Sequence, residues 1–471
     1  WGVSTRRLEG VVVVSNSCPL AFRMQGRRPV PGNPGGGLVG ALRPLLQGTG
    51  ATWVAASLGE ADRLATGGRP VDTDGITVVP VDVETADFQM GYEVVANGTL
   101  WFCHHHLFDL ARRPRFDWHW HEAWAGFRRY NRSFANVVIE QAPQGATVLV
   151  QDYQLSLLGS MLKEARPDLR TAHFVHTPFA EPELLKVLPQ SAAGELLRSM
   201  ASFGACGFHT ERWADAFRRA FSDPDLAEAT GTAAAPKTFV APLSPEAQGL
   251  LEQAQTPQTH SALTKLAEAV GDRRLVARVD RIELSKNLLR GFWAYEELLE
   301  TRPRWRGQIV FAAFVYPSRE NLAEYIGYRS EVEHTVERIN ERFGEKGWTP
   351  ILLDTSDDHP SSLAALLRYD VLLVNPLRDG MNLVAKEGAL LNRNDGVLVL
   401  SRAAGAWEEL GAAALGVNPF DVSATAEALE RALCMGDAER KERAARLRSS
   451  ASATPARVWL DQQLAAALAQ P

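Results

Sequence analysis

Short aliphatic runs alternate with longer amphipathic stretches along almost the whole chain, and this pattern constrains the fold more than any other feature. The runs read "VVVVSN", "ATWVAAS", "TVLVQDY" and "TAHFVHT", then "RLVARVD", "QIVFAAF", "PILLDT", "DVLLVNP" and "GVLVLSR". A strand buried on both faces needs continuous apolar residues rather than alternation, and helical crossovers bury both faces of a parallel sheet. The sequence is therefore predicted to be α/β, with two doubly wound parallel sheets. Its 471 residues exceed what a single core usually holds.

Between the two sets of runs lies "SDPDLAEATGTAAAPKTFVAPLSPEAQG", rich in Pro, Ala, Gly and Thr, which reads as a connection between domains. The boundary is expected near Pro242 to Ser244, giving residues 1–242 and 243–454 as the two domains. The last stretch, residues 455–471, has helical spacing at Val458, Leu460, Leu464 and Leu468 and is expected to dock back on the first domain.

Composition narrows the function classes. A net charge of -6 leaves no basic footprint for nucleic acid. Cys18, Cys103, Cys206 and Cys434 are scattered without C-x-x-C pairs, which points to a reduced, cytoplasmic chain. The apolar run Val11 to Val14 is too short for a signal segment or a membrane span. "CHHH" at Cys103 to His106 and "WHWH" at Trp118 to His121 lack metal-ligand spacing, so aromatic packing is expected there and no metal site.

In open α/β sheets ligands bind beyond the carboxyl ends of the strands, so the residues just after each run carry the chemistry. After the first run, Gly35, Gly36 and Gly37 open a helix, as an anion-binding turn or as a ligand-free surface loop would. The stretch matches neither a P-loop nor a clean dinucleotide fingerprint. Asp152 and His176 end two runs of the first set; they suit sugar hydroxyls or proton handling, or else a helix cap and a satisfied buried histidine. Arg281 and Lys286 follow "RLVARVD", either aimed at a diphosphate or solvated as surface charge. In "NPLRDGMNLVAKE", Asp379 can accept from hydroxyls, Met381, Asn382 and Leu383 open a helix toward phosphate, and Glu387 lies about two turns beyond Asp379 if the segment is helical.

These motifs, with "HTPF", "GFHTERWADAF", "YPSRENLAEY" and "GVLVLSRAAGAWEEL", occur in this order across nearly the whole chain. They resemble the trehalose-6-phosphate synthase family, retaining glycosyltransferases of family 20. The resemblance implies a GT-B fold, two facing Rossmann-like domains with the active site in the cleft between them. It implies a nucleoside-diphosphate-glucose donor (UDP- or GDP-glucose) on the second domain and glucose 6-phosphate on the first. Arg281 and Lys286 would hold the donor diphosphate with Gly35, Gly36 and Gly37. Asp379 would contact the donor glucose, with the Met381, Asn382 and Leu383 backbone beside it and Glu387 on the ribose. Tyr92, Trp101, Asp152 and Arg319 would line the acceptor site, and His176 would lie near the transferred sugar. Such an enzyme needs no cofactor and no metal for chemistry, and a homo-oligomer stays open.

The chain departs from the family pattern at three places. Ser17 stands where an arginine is expected to hold the acceptor phosphate, with Arg23, Arg27 or Arg28 as substitutes; Gln151 and Gln154 replace histidines beside Asp152; and Asn287 replaces the glycine after Lys286. Two other readings follow: a related synthase with a different acceptor or donor ring, such as a pseudoglycosyltransferase or a glucosylglycerol-phosphate synthase, and a non-catalytic sugar-phosphate sensor.

Overall fold

The computed structural model describes residues 8–26, 28–32, 37–57, 59–231 and 235–469. The chain divides into two compact units, one running to Leu243 and taken up again at Ala456, the other spanning Ser244–Pro455. In the first, ten strands form: β1 (Val11–Ser15), β2 (Phe22–Gln25), β3 (Arg28–Pro31), β4 (Thr52–Ser57), β5 (Val71–Thr73), β6 (Ile76–Asp82), β7 (Thr147–Gln151), β8 (Arg170–Val175), β9 (Ala205–Phe208) and β10 (Thr238–Val240). Eight of them make one sheet in the order β10-β9-β8-β7-β1-β4-β6-β5, while β2 and β3 pair separately as an antiparallel hairpin. Every pairing in the large sheet is parallel except β5 with β6. β1 and β7 are buried at every residue, as strands covered on both faces must be.

The second unit holds β11 (Arg274–Ile282), β12 (Ile309–Pro317), β13 (Ile351–Asp354), β14 (Val371–Val374), β15 (Val397–Ser401) and β16 (Leu415–Val417), in the order β13-β12-β11-β14-β15-β16. All its pairings are parallel. Apolar residues fill both sides of this sheet as two clusters, one around Phe292, Phe311 and Ile339, the other around Leu366, Tyr369 and Leu398.

Both sheets wind outward in two directions from a central strand, so the order reverses between β1 and β7 in the first unit and between β11 and β14 in the second. Crossovers leave a crevice at such a reversal, beyond the carboxyl ends of the two strands. This property of the fold positions the candidate sites.

Two expectations are corrected. The stretch read as an interdomain connection contains the helix Pro224–Thr230 and β10, an edge strand of the first sheet, so most of it belongs to the first unit. The final helix, Ala456–Leu468, packs on β7 and β8, but Val458 and Leu468 are exposed; the buried face is Trp459, Leu460, Gln463 and Leu464. A glutamine holds a core position there, and its Oε1 accepts from Gln151 Nε2 at 2.9 Å. Among the described residues no helix is long and apolar enough to cross a membrane.

Candidate active site

At the reversal of the second sheet, β11 runs into a single tight turn, Leu284–Lys286, and β14 runs into Asn375 and the "PLRDG" loop. The two loops are joined: Leu377 N–H donates to the Ser285 carbonyl at 2.7 Å, and Asn287 Nδ2 donates to the carbonyls of Asn375 at 2.9 Å and Pro419 at 2.7 Å. Asn287 has φ 61°, the left-handed conformation in which glycine is cheapest and asparagine is the usual second choice. Here asparagine adds three hydrogen bonds that glycine lacks, the third accepted by its Oδ1 from Arg290 at 3.0 Å.

This frame carries Lys286. Its Nζ lies 2.5 Å from Asp379 Oδ2 and 3.8 Å from Asp280 Oδ1. Burial works against the ammonium, but Asp379 and Asp280 outweigh it and hold the lysine above its ordinary pKa. Beneath it lies a buried set that inspection of the strand ends does not reveal. Arg278 and Asp280 sit two apart in β11 and so point to the same face, with Nε to Oδ2 at 3.2 Å. Arg278 also donates to Asn375 Oδ1 at 2.6 Å and to the Lys286 carbonyl. The available signal was charge at i and i+2 inside an otherwise apolar run.

Asp379 also accepts from Asn382 Nδ2 at 3.1 Å, and its backbone bridges to the loop after β15, with Gly405 N–H donating to the Asp379 carbonyl at 3.0 Å. Gly405 is required there, since a Cβ would stand 2.0 Å from the Gly380 carbonyl oxygen. Asn382 caps the helix Leu383–Leu391 by accepting from Ala385 N–H at 3.1 Å. The Met381 side chain is core, so only its backbone can face a ligand. Glu387 stands one turn into this helix rather than two turns from Asp379, because the helix begins only at Leu383. Burial pushes the half-buried Glu387 carboxyl up to about 7. Lys386 points the other way, fully buried on Glu409 Oε2 at 2.5 Å.

Arg281 does not follow the strand as expected but is the penultimate residue of β11, in register with Tyr316 of β12. Arg319 follows β12 with φ 51° and is held by the buried Glu283, which also accepts from Tyr325 Oη at 2.7 Å.

At the reversal of the first sheet, Asp152 follows β7 with φ 72°, and its Oδ1 accepts from His176 N–H at 3.1 Å. It caps no helix. His176 Nε2 lies 3.0 Å from Gln151 Oε1, and its ring is 5.6 Å from that of Trp459. Trp101 stacks on His105 at 3.9 Å and lies 5.8 Å from Tyr153. Tyr92 stacks on Phe88, and its ring is 6.4 Å from that of Tyr130, whose hydroxyl donates to Asn16 beyond β1. Tyr92 and Trp101 lie at either end of a helix widened to i→i+5 spacing over Gln89–Leu100, a geometry frequent at functional sites.

Gly37 begins the helix Gly37–Leu46, while Gly35, Gly36 and Arg27 lie outside the described residues. Arg23 and Arg28 are exposed on the β2–β3 hairpin. His104 accepts from Ala180 N–H at 3.1 Å, His105 bonds the Trp101 carbonyl, and His119 stacks on Trp118. No group of three or more metal-ligating side chains occurs among the described residues.

Comparison with known proteins covers the same ground. The family model of glycosyltransferase family 20 matches residues 9–469. A bifunctional trehalose-6-phosphate synthase/phosphatase from Thermoproteus tenax is 32% identical over 92% of this chain, which spans 60% of that protein's length. A trehalose-6-phosphate synthase from Mycolicibacterium vanbaalenii is 32% identical over 95% of this chain and 94% of its own. The solved structure of a UDP-forming α,α-trehalose-phosphate synthase from Burkholderia xenovorans, in complex with glucose 6-phosphate, superposes with a TM-score of 0.84 at 28% identity, covering 97% of this chain and 100% of that one. Two Rossmann-like units and a family match over nearly every residue leave one assignment: the chain belongs to glycosyltransferase family 20 and is a glycosyltransferase.

Proposed function

We propose that the enzyme forms α,α-trehalose 6-phosphate from a nucleoside-diphosphate-glucose and glucose 6-phosphate, with retention of configuration and without a metal. The observation that carries the reading is the Lys286 ammonium, anchored between Asp379 and Asp280 at the β11–β14 reversal beside a helix N-terminus. A diphosphate leaving group gains negative charge as the glycosidic bond breaks, and a fixed cation with helix amides supplies what that charge needs. Arg281, at the end of β11, adds a second cation five residues before Lys286. Asp379 accepts from glucose hydroxyls, and Glu387 accepts the ribose diol.

On the acceptor side, Tyr92 and Trp101 offer sugar-stacking faces, Asp152 takes a hydroxyl, and Arg319 contributes charge toward the phosphate. The acceptor hydroxyl attacks the anomeric carbon on the face that the diphosphate leaves, and its proton passes to the departing phosphate oxygen. The protein then supplies orientation and charge rather than a covalent nucleophile. UDP-glucose is the favoured donor, following the UDP-forming relative. Four free cysteines suit the reducing cytoplasm. Ser17 favours a second reading, the same donor chemistry with another phosphorylated acceptor.

The test is a product assay with glucose 6-phosphate and UDP-, GDP- or ADP-glucose, each with and without EDTA, read by mass and anomeric NMR. α,α-Linked trehalose 6-phosphate formed equally in EDTA is expected. Transfer only to a different acceptor would move the assignment to the second reading, and EDTA-abolished turnover would remove the metal-free mechanism.

A further inference from the structure

The Gln151 amide decides what kind of hydrogen bond His176 can make. An amide oxygen only accepts, so an imidazole nitrogen bonded to it must carry the proton. Gln151 is fully buried at the end of β7, and its Nε2 donates to Gln463 Oε1 at 2.9 Å and to the Leu149 carbonyl at 3.4 Å. A backbone carbonyl is an acceptor in every state. Turning the amide over would set Gln151 Oε1 against Leu149 O, so the oxygen faces the histidine, 3.0 Å from Nε2. Gln463, itself fully buried on the C-terminal helix, accepts from the same Nε2 through its Oε1, while its own Nε2 has no partner among the described residues, so the Leu149 carbonyl sets the orientation and Gln463 supports it. Nε2 of His176 is thus the protonated nitrogen. Among the described residues nothing bonds its Nδ1, and the ring is only half-buried. Burial, with His209 and His173 nearby, holds the ring neutral at pH 7.

We propose that Gln151, oriented by Leu149 and by Gln463, holds His176 as the Nε2–H tautomer and makes its Nδ1 an acceptor that selects a free hydroxyl on the donor sugar. The identity of that sugar rests on the function proposed above; the tautomer does not. Gln151 and Gln463 are positioning residues, and His176 is the group that touches the sugar. A hydroxyl can donate to Nδ1, whereas fluorine at the same carbon cannot.

Two measurements test this. In the full chain labelled with ¹⁵N-histidine, the His176 signals are assigned by their loss in His176→Asn. At pH 7.5 they are expected to report protonated Nε2 and bare Nδ1. Gln151→Leu, which removes the oxygen, is expected to shift them toward a mixture of tautomers, and Gln151→Glu, which keeps it, is expected to retain Nε2–H. A native Nδ1–H form, an imidazolium, or a Gln151→Leu spectrum unchanged from native overturns the assignment. The second measurement is calorimetry with nucleotide-glucose analogues fluorinated at each glucose hydroxyl in turn. Fluorination at the hydroxyl that faces His176 is expected to weaken binding about tenfold, the weight of one hydrogen bond, and to carry no penalty in His176→Phe, whereas penalties at hydroxyls held by Asp379 persist in both. If no analogue loses its penalty in His176→Phe, the selection is overturned. Failure of every nucleotide-glucose to bind would instead sink the proposed donor class, with the tautomer still judged by its own spectrum.

Discussion

Lys286 and Glu387 make different demands on the donor site, and each can be isolated by one substitution. Lys286 faces charge that grows during reaction, so Lys286→Ala is expected to lower kcat by about 10²–10³ while weakening donor affinity by less than about tenfold. Steady-state kinetics beside calorimetry read the split; equal losses would reduce the lysine to a ground-state anchor. Burial moves the Glu387 carboxyl toward neutral pH, from 4.5 to about 7, so between those values the folded protein keeps a proton that the unfolded chain releases. Stability therefore falls as pH rises through that window and levels off above it. Urea midpoints from pH 5 to 8 are expected to fall more steeply for the native enzyme than for Glu387→Gln. Donor affinity is expected to rise over the same window, because only the carboxylate accepts both ribose hydroxyls, and this rise is absent in Glu387→Gln.

At the scale of elements, β11 does most of the positioning. Nine residues long, it delivers Arg281 at its end and buries Arg278 and Asp280 within it. Gly291 of the following helix leaves room for that guanidinium, since a Cβ would stand 2.5 Å from Arg278 Nη1. Arg278→Met removes one partner of a buried pair together with the tethers to the Lys286 carbonyl and to Asn375; a loss of about 3–5 kcal/mol is expected by urea denaturation. A loss near zero would mean that Asp280 is neutralised by Lys286 alone. Long apolar runs such as "VVVVS" and "VLLV" made their strands legible, and the residues just beyond them led to Asp152, Lys286 and Asp379. β9 was not legible: "ACGF" is short and contains Gly207, where a Cβ would collide with the rings of Phe239 and Phe174. β10 was masked by flanking Pro and Ala. The supporting residues Asn375 and Gln463 escaped because their partners are distant in sequence, and no local pattern records a hydrogen bond across 97 or 312 positions, whereas Arg278 left a local trace in its charge two residues from Asp280.

At the scale of the whole molecule, the first unit is discontinuous, since its strands precede Leu243 and its closing helix begins at Ala456. Trp459 packs edge-on against Phe174 with ring centroids 5.4 Å apart and is fully buried. Trp459→Ala is expected to cost the first unit about 3–5 kcal/mol and leave the second unchanged. Denaturation followed by unit-specific probes would show one transition moving and the other holding, whereas a joint shift would mean that the two unfold as one. The discontinuity also sets a schedule for synthesis. The ribosome must deliver the entire second unit before Trp459 and Gln463 exist, roughly 200 residues later and on the order of ten to forty seconds at ordinary elongation rates. Throughout that interval β7 and β8 lack the helix that seals one face, and Gln151 lacks its brace. Until then the nascent first unit exposes apolar surface of the kind that chaperones and proteases recognise, and the arrival of the helix Ala456–Leu468 covers it.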